Sequence, residues 1–135
     1  MDINQRLIDL ERRGLADKPT IEIVLRIKKR LSDYWQADVG TPLVGTLLFH
    51  LACALGRIQR GYSVSPLYRE FMKKIESAVH FSDISMINAD LMCSVPFPVP
   101  EEEQTYFLAN IYSLLLEQPW ILEKINCYEI VNKDK

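Results

Sequence analysis

A chain of 135 residues, 48% hydrophobic and 25% charged, is long enough for one domain with a buried core and is neither disordered nor fibrous in composition. A net charge of −2 argues against nucleic acid as the main partner, because phosphate binding shows as a basic face. The clusters Arg12-Arg13 and Lys28-Lys29-Arg30 are short and read as solvated helix faces. Cys53, Cys93 and Cys127 form no CxxC pair, and with two histidines they leave no zinc spacing, so neither metal nor cofactor is expected. The start of the chain is too charged for a signal peptide, and the apolar run 47–55, broken by His50, is too short to span a bilayer. The expectation is a reduced cytoplasmic protein with no membrane association.

Taken in chain order, the pattern is helical throughout. Ile3, Leu7 and Leu10 share one face, and Gly14 is a natural stop. A second helix is expected to start near Thr20, an N-cap candidate, with Glu22 in its first turn and Val24, Ile27, Leu31 and Tyr34 or Trp35 on its apolar face. The third runs from Thr41 or Pro42 to Arg60 and closes at Gly61; it is apolar on most sides, as a helix at a bundle centre is. Ser65-Pro66 offers an N-cap and a first-turn proline, followed by a buried face of Leu67 or Tyr68, Phe71 and Ile75. Ser82 and Asp83 offer another start, with Ile84, Ile87 and Leu91 at helical spacing.

The alternating prolines of 96–100 favour a stiff extended connector. Glu101, Glu102 and Glu103 then open a helix, where carboxylates complement the exposed N–H groups. Pro119 breaks that helix, and the remaining tail is a further short helix packing Trp120, Ile121 and Ile125, or a strand-like arm. No strand alternation and no repeat occurs. The fold class is all-α: a single domain over 1–135, a compact bundle of about five to six helices, with its core over about 20–118 and a tail from 119.

On the third helix, Thr46, His50, Cys53, Arg57 and Arg60 fall on one narrow stripe among leucines, alanines and valines. An imidazole and two guanidinium groups in such a stripe must face a polar cleft or a subunit interface. The plainer reading makes His50 a core histidine with one satisfied hydrogen bond and lets the arginines reach water at the helix end. The sharper one makes it a used residue. A neutral imidazole nitrogen is a good nucleophile, and Arg57 and Arg60 would bind an anionic group attached to it. A catalytic Cys53–His50 pair lacks an orienting third group, and no catalytic residue is assigned. His80 sits at a helix junction and reads as structural.

The stretch "FHLACALGRIQRG" resembles the histidine motif of the PRD, the phosphotransferase-system regulation domain, matched by His50, Leu51, Arg57, Ile58 and Gly61. The second PRD motif is similar to "PEEEQTYFLANIY", with Glu102, Glu103 and Tyr106 in register and Asn110 at the histidine position. The two motifs lie about 60 residues apart, as in that family, and the resemblance spans roughly 20–118. It implies a helical bundle that dimerises, with His50 phosphorylated by HPr or an enzyme IIB, Arg57 as the supporting cation, and the added charge altering the dimer's packing.

Asn110 cannot carry a phosphoryl group but can hydrogen-bond beside His50. Phe49 stands where the antiterminator branch of the family commonly has Asp. No RNA-binding β-module or helix-turn-helix is recognisable, so a regulatory domain acting on a separate regulator protein, without direct nucleic-acid contact, is the expectation. The alternatives are a degenerate PRD serving as a structural or interaction module, and a small-ligand binder, which would need a sizeable pocket around His50.

Overall fold

The first three helices of this chain start at short polar side chains that accept from otherwise unpaired N–H groups. The computed structural model of the protein describes residues 2–62 and 69–125. Asp2 caps α1 (Ile3–Arg12), accepting from the Gln5 N–H at 2.9 Å, and Ile3, Leu7 and Leu10 are its buried face. Gly14 turns the chain at φ 74°, in the left-handed region that suits glycine.

The second helix, α2 (Lys18–Asp33), starts ahead of the position expected from Thr20. Asp17 is the cap, bonded to the Thr20 N–H at 2.9 Å, and Pro19 presets the first turn; a carboxylate followed by proline is the stronger start signal. Thr20 lies buried one turn in, its hydroxyl donating to Gln59 Oε1 at 2.6 Å. Between the two aromatic candidates at the far end, Trp35 is fully buried and Tyr34 only partly so.

Thr41 caps α3 (Pro42–Gln59) and Gly61, at φ 82°, closes it, as its sequence suggests. This helix packs against α1, α2 and α6 (Glu101–Glu117). Among the described residues it alone is long and apolar enough to cross a membrane, but Val44, Leu47, Leu48, Leu51, Ala52 and Leu55 are buried in the bundle core. Gly56 lies against the turn between α1 and α2: a Cβ there would collide with the Leu15 carbonyl.

Ser65-Pro66, Leu67 and Tyr68 lie outside the described residues. In α4 (Arg69–Glu76) Ile75 is buried against the bundle, but Phe71 is 43% exposed, contrary to expectation. This helix of two turns buries a single residue, Ile75. The next helix, α5 (Phe81–Met92), starts after His80 rather than at Ser82 or Asp83, with no side-chain cap; His80 Nδ1 lies 3.1 Å from Asp83 Oδ2.

The connector 96–100 carries no helix, and α6 follows it directly. Gln118 is fully buried and clamps the backbone of Asp38, accepting from its N–H at 2.7 Å and donating to its carbonyl at 3.0 Å. The tail turns helical at 121–125, with Ile121 and Ile125 in the core. Trp120, expected to pack with them, is 47% exposed, because its indole N–H reaches back to the Gln36 carbonyl at 3.0 Å. The architecture is an all-α bundle with no strand among the described residues.

Candidate functional site

The polar stripe of α3 is at the surface. Thr46, His50 and Arg60 are exposed, and Cys53 and Arg57 are half-buried. The stripe follows the seam between α3 and α6, so the helix can be central to the core and still present one polar edge to solvent. His50 is therefore not a satisfied core histidine. Among the described residues it has no hydrogen-bond partner, and its ring lies 6.1 Å from that of Phe49, which itself carries the Arg6 guanidinium at 4.3 Å.

Two hollows flank His50 along this seam. One, of about 350 Å³, is lined from α3 by His50, Cys53, Ala54 and Arg57 and from α6 by Glu103, Tyr106, Phe107, Ala109 and Asn110. The other, of about 330 Å³, runs toward the start of α3 past Pro42, Leu43, Thr46 and Leu47, with Asn110 and Ser113 opposite. His50 and Asn110 line both. The two residues singled out in the sequence thus share one cleft, from opposite helices.

The two arginines of the stripe have separate tasks. Arg57 donates to the carboxylate of Glu103, from Nη2 to Oε1 at 3.1 Å and from Nε to Oε2 at 3.4 Å. Arg57 is 34% exposed and Glu103 0%, so the pair joins a cleft-lining cation to an anion inside the bundle. Arg60 lines neither hollow; it donates to the Leu15 carbonyl at 2.8 Å and braces the turn between α1 and α2. Burial pushes the Cys53 thiol up from its ordinary value against the opposing pull of Arg57, Arg13, Arg6 and Arg60. That disfavours the thiolate a Cys–His pair requires, and no hydrogen bond joins Cys53 to His50 among the described residues.

Glu103 is the site residue whose part went unread: it looked like one of three carboxylates at a helix start. A second buried carboxylate was also missed. Asp90 accepts from Arg30 at 2.9 Å and 2.8 Å and from Trp35 Nε1 at 2.8 Å. Arg30 is thus tied to α5 and is not part of a merely solvated basic face. This network lines neither hollow of the cleft. No group of three or more His, Cys, Asp or Glu side chains among the described residues could hold a metal ion.

Comparison with known proteins gives two relatives. An uncharacterized protein of Haemophilus influenzae is 54% identical over 106 residues, covering 78% of this chain and 85% of that protein. The uncharacterized protein YhfY of Escherichia coli is 26% identical over 101 residues, covering 75% and 84%. No family model matches the chain, and no solved structure matches it.

Proposed function

The chain belongs to the family of the uncharacterized Haemophilus influenzae protein, and for it we propose the role of a cytoplasmic, PRD-like regulatory domain that receives a phosphoryl group on His50. The donor is HPr or an enzyme IIB of the phosphotransferase system. The domain acts as a homodimer and passes its state to a separate regulator protein by contact. The observation that supports this most is His50 itself: an exposed imidazole without a hydrogen-bond partner among the described residues, midway along the central helix, facing Asn110 across a cleft. With no hydrogen-bond partner among the described residues on its ring nitrogens, one can attack and the other can lose its proton.

The transfer balances simply. With HPr as the donor, a ring nitrogen of His50 bonds to the phosphorus of its phosphohistidine as the donor's own N–P bond breaks. The proton lost by the His50 ring replaces the one that the donor ring regains. The product adds a dianion to the site, with the Arg57 guanidinium lining the same hollow.

Intact mass after incubation with phosphoenolpyruvate, enzyme I and HPr, with and without an enzyme IIB, tests the reading. An acid-labile phosphoryl gain that disappears in His50→Ala is the expected result. No gain with any of these donors would overturn it.

The cleft also favours a second reading. Each hollow has a volume within the range of small-molecule sites, and Arg57 and Asn110 supply a cation and an amide. A small anionic ligand held beside His50, raising the melting temperature of wild type but not of His50→Ala, would support binding in place of phosphoryl transfer.

A further inference from the structure

We infer that Arg57 is a latch that reads the state of His50: it holds Glu103 in the resting protein and leaves it for a phosphoryl group on His50. This rests on the function proposed above. Three observations carry it. Arg57 lies two turns beyond His50 on the same helix face, about 10 Å along the axis, and lines the same hollow. An arginine leans toward the N-terminus of its helix, here toward His50, and its long side chain covers much of that separation. Of the two members of the ion pair, Arg57 is partly solvated and Glu103 is wholly enclosed, so the cation is the one that can move.

A dianionic phosphoryl group attracts a guanidinium more strongly than a single carboxylate does. When Arg57 turns to it, the Glu103 carboxyl is left inside the bundle without its counter-ion, which is unfavourable. The relief available is local. Glu103 is in the first turn of α6, just after the proline-rich connector, and that turn is also tied to the bundle by the Asn88 amide donating to Gln104 at 2.8 Å. Opening this turn hydrates the carboxylate. The start of α6, with the exposed Glu101, Glu102 and Tyr106, thereby becomes the surface that changes with the state of His50.

Hydrogen exchange of the amides of 104–107 tests the latch. The protein carries His80→Gln, so that His50 is its one histidine, and is phosphorylated with phosphoramidate, a donor that needs no protein partner. Exchange in this turn should quicken roughly tenfold or more on modification, the usual scale of coupling between two sites. Glu103→Gln, which leaves no buried charge, should abolish the response. Unchanged exchange in protein modified at His50 would overturn the latch. If phosphoramidate leaves His50 unmodified, His50→Glu places a negative charge there and is judged by the same criterion. Failure of transfer from HPr or enzyme IIB counts against the proposed function alone, since phosphoramidate bypasses both.

Discussion

Cutting the Arg57–Glu103 pair from its two ends should have unequal effects, because its members differ in access to water. Arg57→Ala leaves a carboxylate with 0% exposure and no cation, and breaking a buried pair in that way costs about 3–5 kcal/mol. Glu103→Ala removes the buried charge and leaves a guanidinium that is already a third exposed and can turn outward; the loss is that of its hydrogen bonds, about 1.5 kcal/mol after screening. The single variants should therefore differ by about 2 kcal/mol, and Arg57→Ala combined with Glu103→Gln should recover much of the Arg57→Ala deficit. Urea unfolding at neutral pH, followed by the fluorescence of buried Trp35, gives the midpoints, and an unchanged denaturant slope shows that stability alone has moved. Glu103→Ala matching or exceeding Arg57→Ala would refute the reasoning. It would mean that Glu103 is hydrated when unpaired, and a hydrated carboxylate has no need to open α6.

Asp90→Ala removes the acceptor shared by Arg30 and Trp35 Nε1 and should cost about 3 kcal/mol in the same assay, with Asp90→Asn milder because an amide oxygen still accepts. At the start of α2 hydrogen bonding with Thr20 holds the Asp17 carboxyl below its ordinary value. A depressed carboxyl stabilises the fold above its unfolded value and loses that contribution as the pH falls through its folded one; Asp17→Asn should flatten this part of the acid limb in melting temperatures taken between about pH 2 and 6. Cys93, being exposed, should react with iodoacetamide on the order of tenfold faster than Cys53, whose thiol burial pushes up, and peptide mapping after partial labelling gives the order.

Much of the fold could be read because the helices follow rules that act over a few residues. The apolar face of α1, the Thr41 cap, the Gly61 stop and the proline connector each depend on side chains close in sequence to the effect they produce. In two places where the reading slipped, a partner remote in sequence was at work. Arg30 was drawn from solvent by Asp90 and Trp120 out of the core by the Gln36 carbonyl, whereas α2 starts at Asp17 on a local signal stronger than Thr20. Cys127 and the tail beyond 125 lie outside the described residues.

The candidate site divides along the same line. Helical spacing suffices to place His50, Cys53 and Arg57 on one edge of α3, and the register of the second motif singles out Asn110. What spacing leaves open is whether that edge faces the interior, which is settled by where α6 lies against α3. Glu103 is the instructive case, because a signal for it was present. It precedes Phe107, Ile111 and Leu114 by one, two and three turns, on the face that α6 buries, whereas Glu101 and Glu102 are off that face and exposed. A carboxylate in the apolar phase of a helix needs a cation from a neighbouring element. The cations on the polar edge of α3 are Arg57 and Arg60, and with Arg60 turned to the Leu15 carbonyl, the carboxylate falls to Arg57. Reading the helical phase of the charges, as well as of the apolar residues, would have linked the two motifs through this ion pair, beyond their distance along the chain.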